Sequence, residues 1–118
     1  SPKLFHNSLC MISDWSGISL EYAFTFEQPI IFIDVPKKIL NPNCNDIFLE
    51  PIEVTHRNQL GHVVLPSNLN VIPELIKNMN EISNSSKQIK KILSETVFNI
   101  GESAKVGANF IQQLIVSN

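Results

Sequence analysis

A strand–helix–strand run near the start of the chain limits the fold more than any other feature of the sequence. Ile30-Ile31-Phe32-Ile33 is an unbroken stretch of β-branched and aromatic residues, led by Pro29 and closed by Asp34-Val35-Pro36. Such a stretch predicts a buried strand. Upstream, Leu9-Cys10-Met11-Ile12 is a second short apolar run, ended by Ser13-Asp14. Between the two, Ser16-Gly17 opens Ile18 to Phe26, which is too long and too little interrupted to be a strand. Its polar positions, Ser19, Glu21, Thr25 and Glu27, leave most of the circumference apolar, as in a well-buried helix. Strand, helix and strand within about thirty residues make a βαβ unit, and a βαβ unit requires parallel strands.

The rest of the chain extends this unit. Pro36, Pro42, Asn43, Asn45, Pro51 and Asn58 punctuate a long connection from Pro36 to Gly61, with Ile47-Phe48-Leu49 and Ile52-Glu53-Val54 as short ordered pieces at best. Connections of that length are more often functional than accidental. His62-Val63-Val64-Leu65 predicts a third strand. Asn70 is the expected cap of the next helix, with Pro73 tolerated in its first turn and Leu69, Ile72, Leu75, Ile76 and Met79 on one face. Asn84-Ser85-Ser86 reads as a break before a short basic helix from about Lys87 to Leu93. A last helix, Ser103 to Val116, is expected to bury Ala104, Ala108, Ile111, Leu114 and Ile115. The fold class is therefore α/β, a partial Rossmann-like parallel sheet with flanking helices. Parallel sheets usually carry more than three strands. The expectation is thus one partial domain over residues 1–118, the last part of a doubly wound domain. A first residue of Ser rather than Met agrees with a piece of something longer.

Composition removes several function classes. Nine basic residues stand against eleven acidic ones, a formal net charge of −2, without the basic excess that nucleic-acid binding requires. At 43% hydrophobic and 17% charged residues the chain is too apolar for disorder. Its longest apolar stretch, Pro29 to Ile33, falls far short of the roughly 20 residues of a membrane helix. Cys10 and Cys44 have no Cys-x-x-Cys partner and no histidine at metal-ligand spacing. Cys10 reads as a reduced, buried thiol, and the expected compartment is the cytoplasm. No cofactor and no metal are called for.

Chemistry concentrates in Ile12-Ser13-Asp14-Trp15-Ser16-Gly17-Ile18-Ser19-Leu20-Glu21. A parallel strand ends here and a helix begins, the place where open α/β sheets bind ligands. The free N–H groups and dipole of a helix's first turn favour an anion. Ser16 supplies a hydroxyl, Gly17 lets a phosphate approach the backbone, and Glu21 stands one turn further on, within reach of a ribose. Ser16 and Gly17 also read as nothing more than a helix cap and a steric convenience.

The segment resembles the donor-nucleotide site in the C-terminal domain of GT-B-fold transferases, above all the CDP-glycerol glycerophosphotransferases that build teichoic acids and capsular polymers. That family has a strand leading into Ser/Thr-Asp-Tyr-Ser-Ser, a helix with an acidic residue, and a Lys-Pro-apolar strand. The counterparts here are Ser13-Asp14-Trp15-Ser16-Gly17, Glu21, and Gln28-Pro29-Ile30-Ile31-Phe32. UDP-sugar 2-epimerases share the layout, with Ser-Gly-Gly before the helix and a ribose-binding Glu at the position of Glu21. The resemblance covers residues 9–35 well and residues 95–116 loosely. It implies that Ser13, Asp14, Ser16, Gly17 and Glu21 hold the diphosphate and ribose of a nucleotide-activated donor such as CDP-glycerol. It also implies that the acceptor-binding N-terminal domain and the catalytic histidines belong to segments upstream of Ser1. Trp15 and Gly17 stand where the family has Tyr and a second Ser, so one phosphate-directed hydroxyl is missing. The alternatives are a UDP-sugar glycosyltransferase or epimerase domain, and a non-catalytic α/β interaction module.

Asp34, Lys37 and Lys38 follow the second strand and share its crevice, where Lys37 or Lys38 could neutralise a diphosphate. A solvated lysine pair is the plainer reading. His56-Arg57 in the long connection could touch a nucleotide, yet no spacing demands it; His62 reads as structural, and Lys87, Lys90 and Lys91 read as a solvated helix face. A domain cut through its sheet leaves an open strand edge, so self-association is expected.

Overall fold

The computed structural model describes residues 2–37, 49–79 and 83–116. Lys38, Pro42, Asn43, Cys44, Asn45, Ile47 and Phe48, named above, lie outside the described residues. The elements are α1 (Pro2–His6), β1 (Met11–Ser13), α2 (Ile18–Phe26), β2 (Ile30–Ile33), α3 (Ile52–Thr55), α4 (Arg57–Leu60) and β3 (Gly61–Val64). A 3-10 helix (Pro66–Val71), α5 (Ile72–Asn78), α6 (Ser83–Thr96) and α7 (Ser103–Val116) follow. The strands form one sheet in the order β1-β2-β3, with β2 parallel to both neighbours. Met11 pairs with Ile30 and Ser13 with Phe32, while Gly61 and Val64 pair with Ile30 and Ile33. The chain is α/β, with a partial Rossmann-like parallel sheet flanked by helices.

Strand alternation sends the side chains of β2 to both faces, and both are covered as a parallel sheet requires. Ile30 and Phe32 pack with Tyr22 and Ala23 of α2, Leu60 of α4 and Ile89 and Ile92 of α6. On the other face Ile31 and Val64 pack with Met79, Ile72, Leu75 and Ile76 around α5. Phe5 of α1 closes the first cluster edge-on against Tyr22, ring centroids 5.7 Å apart. Burial pushes the Tyr22 hydroxyl pKa up, and that hydroxyl lies 2.8 Å from Ser8 Oγ. Burial likewise pushes the Cys10 thiol up and leaves it a poor nucleophile.

Several expectations need correction. The first strand starts at Met11 rather than Leu9, which is exposed. Asn70 does not cap α5: Pro66, with its fixed φ, starts a 3-10 helix that takes in Asn70, and α5 follows at Ile72 with no side-chain cap. Leu69 stays exposed on that 3-10 turn. Residues 84–86 do not break the chain, because serine suits a first helical turn, and α6 runs through them to Thr96. The last helix has the expected span, yet none of its residues is buried; Ala104, Ala108, Ile111, Leu114 and Ile115 are all exposed. Its apolar periodicity marks a face, and the rest of the described chain does not cover that face. The outline is accordingly long, 60 × 34 × 26 Å. The radius of gyration of 17.6 Å compares with about 13.5 Å for a compact chain of this length.

Glu27 closes α2 in the left-handed conformation at φ 54° and ties that end to α6. Lys90 Nζ and Ser86 Oγ each lie 3.1 Å from its Oε2. These bonds, that from Lys90 foremost, hold the Glu27 carboxyl below the ordinary carboxylate range. A folded-state pKa below the unfolded one adds stability above the unfolded value, and that stability fades as pH falls through the folded value. The thermal midpoint should therefore drop on acidification through and below the ordinary carboxylate range. In Glu27→Gln this part of the drop should vanish, and an unchanged acid profile in that variant would show that the tie adds nothing.

Candidate functional site

Parallel pairing brings the carboxyl ends of all three strands to one edge. The segments leaving that edge are Asp14 to Gly17 after β1, Asp34 to Lys37 after β2, and Leu65 after β3. They are stitched together by hydrogen bonds. The Asp34 amide donates to the Val64 carbonyl at 2.8 Å, and Trp15 Nε1 donates to the Val35 carbonyl at 2.7 Å. The indole thus fixes the β1–α2 loop against the β2 loop.

Beneath Trp15 lies Arg57, the first residue of α4, only 5% exposed. Its guanidinium carbon sits 3.7 Å from the Trp15 ring centroid and 4.9 Å from that of Phe32. One terminal nitrogen donates to Asp34 Oδ1 at 2.9 Å and the other to the Ile33 carbonyl at 3.4 Å, while Nε is buried without a partner. Burying a guanidinium is costly unless a carboxylate answers it, and Asp34 is that carboxylate. Lys37 Nζ lies 5.7 Å from the Trp15 centroid, so a second cation stands at the same indole.

The start of α2 is left open. Gly17 occupies its N-cap position with no side-chain cap bond, so Ser16 is not a helix cap. The Ser16 carbonyl instead accepts the Ser19 hydroxyl at 2.6 Å and the Ser19 amide at 3.1 Å. Gly17 has ordinary helical angles, φ −60° and ψ −24°, and a Cβ built on it would meet nothing within 4 Å. Nothing inside the protein demands glycine at this position. The Ser19 and Leu20 amides are taken by the Ser16 and Gly17 carbonyls, so a negatively charged group in the open space beside Gly17 would have the amides of Gly17 and Ile18 to settle against.

Of the residues singled out from the sequence, Ser13, Asp14, Ser16 and Gly17 lie along this edge, and Lys37 is joined to them through Trp15. Ser13 and Ser16 are half-buried, while Asp14, Gly17 and Lys37 are exposed. Glu21 is exposed one turn into α2, on the side away from the buried Tyr22 and Ala23. Arg57, named from the sequence only as a loop residue that could touch a nucleotide, instead packs against Trp15 and pairs with Asp34, a contact no spacing predicts. His62 is exposed on β3. Among the described residues no three His, Cys, Asp or Glu side chains cluster as a metal site needs.

Fold and edge together define an α/β chain whose parallel strands end at one shared edge, where Arg57 and Lys37 stand beside Asp14 and Asp34. Comparison with protein-family models, with curated proteins and with solved structures finds no match. No helix among the described residues is long and apolar enough to cross a membrane.

Proposed function

We propose that this chain binds a nucleotide-activated donor at the carboxyl edge of its sheet, as the C-terminal, donor-binding part of a GT-B-type glycerophosphotransferase. The observation that carries the reading is the uncapped start of α2, directly after a parallel strand, with open space at Gly17. On this reading the diphosphate sits against the amides and hydroxyl of Ser16-Gly17, where the helix dipole and Lys37 offset its charge. Ser13 and Asp14 border it, and Glu21 accepts hydrogen bonds from the ribose. The finer assignment, a CDP-glycerol-like donor used in building a bacterial cell-surface polymer, rests on the resemblance of residues 9–35. With it go an acceptor-binding domain in the same enzyme and a cytoplasmic location, at the inner face of the membrane. A UDP-sugar transferase would use the same edge, and preference for CDP over UDP separates the two.

Isothermal titration with CDP, deoxy-CDP and pyrophosphate tests the placement of ribose and phosphate. Glu21→Ala should cost CDP about 1.5–3 kcal/mol, the range for a hydrogen bond to a charged group, and cost pyrophosphate almost nothing. Equal losses for all three ligands would remove Glu21 from the ribose.

A further inference from the structure

Helix α7 has a broad apolar face and no burial. Val106 and Phe110 lie one turn apart, and Ile111 and Ile115 form the adjacent row. They are 41%, 59%, 59% and 72% exposed. Phe98 and Ile100, just before the helix, are 75% and 62% exposed. Gly107 falls between the two rows, at the middle of the face. A glycine inside a helix weakens it, and within the chain nothing is gained in return, since a Cβ there would meet nothing within 4 Å. Close approach of another backbone is what a glycine in the centre of an apolar helix face permits.

We infer that α7 is a homodimer interface, occupied by α7 of a second copy of this chain, with the two helices crossing at Gly107. Charge favours this occupant over a lipid surface or a strongly charged partner, while cover by the acceptor-binding domain of the proposed enzyme would leave this chain monomeric. The polar side of the helix holds Asn109, Gln112 and one cation, Lys105, which already lies 3.9 Å from Glu102. A helix that rests on anionic lipid carries a Lys/Arg-rich polar side, and this one does not. A strongly charged partner would find nothing to pair with, whereas two uncharged apolar faces meet without repulsion across a two-fold axis. Full burial of these six side chains on two copies would remove on the order of 1,200 Å² in total, the lower bound of a stable interface. The elongated outline, with α7 clear of the sheet's core clusters, leaves this face accessible.

Sedimentation equilibrium over a wide concentration range tests the inference. The wild-type chain should dimerise reversibly. Gly107→Leu has room within the chain and favours the helix, so its helical circular dichroism should hold or rise while dimerisation weakens at least about a hundredfold. Phe110→Asp should weaken it comparably, and Lys105→Ala, on the polar side, should leave it intact. A wild-type chain that stays monomeric would overturn the inference, whether or not it binds anionic vesicles. So would a Gly107→Leu chain that dimerises as well as the wild type.

Discussion

Gly61→Ala should destabilise the chain by at least about 3 kcal/mol, the upper end of what forced overpacking costs and more than most single substitutions. Gly61 is the first residue of β3 and pairs with Ile30, in the central strand. Its backbone is extended, φ 171° and ψ −151°, so conformational freedom is not the reason for glycine. The reason is distance: a Cβ at Gly61 would collide with the backbone carbonyl, carbon and nitrogen of Ile30. Backbone atoms of a fully buried central strand cannot step aside as the tip of a flexible side chain can. The β2–β3 pairing must open instead, and Leu60, Ile30 and Val64 lose their packing with it. Urea unfolding reads the effect as a fall in midpoint. Gly17→Ala is the control, expected within about 0.5 kcal/mol of wild type because its Cβ meets nothing. A Gly61→Ala chain within about 1 kcal/mol of wild type would mean that β3 does not pair as described.

Asp34→Ala should be the second most damaging change, at about 2–3 kcal/mol. Removing one partner of a buried ion pair strands the other, and the exposure of Asp34 reduces the usual penalty. Arg57 would keep its charge, 5% exposed between two aromatic rings, with only the Ile33 carbonyl left to answer it. Arg57→Met removes the charge and keeps a long apolar side chain against Trp15 and Phe32. It should cost about 1 kcal/mol or less, since replacing a buried charge by packing is often neutral. The double variant should resemble Arg57→Met alone, because Asp34 then has nothing to neutralise. Simple addition of the two single effects would show that Asp34 and Arg57 do not stabilise each other.

The elements legible from sequence are those whose signal is local. Ile30–Ile33 and Ile18–Phe26 announce themselves through β-branched content, periodicity and flanking punctuation, and parallel pairing follows from the helix between two strands. The span of α7 is legible for the same reason. Its exposure is not, since amphipathic spacing records that a face wants cover and leaves the covering surface unspecified. The serine-rich start of α6 misleads because serine suits a turn and a first helical turn equally. Of the site, the strand-to-helix junction at residues 13–17 is readable because a motif carries it. The Trp15–Arg57–Asp34 cluster joins three separate segments, and only the folded sheet brings them together.

The central claim is that the open start of α2 receives a diphosphate, and the most direct test is calorimetric titration of CDP into the wild-type chain and Gly17→Val. A Cβ at Gly17 meets nothing within 4 Å and the residue is exposed, so the thermal midpoint should stay within the small cost of a β-branched residue in a first helical turn, well under about 1 kcal/mol. Its side chain would occupy the space the phosphate needs. The account predicts CDP binding to the wild type and its loss, by at least about a hundredfold, in a Gly17→Val chain that melts normally. Equal CDP affinity in the two chains, or no binding of CDP, UDP or pyrophosphate to the wild type, would contradict it.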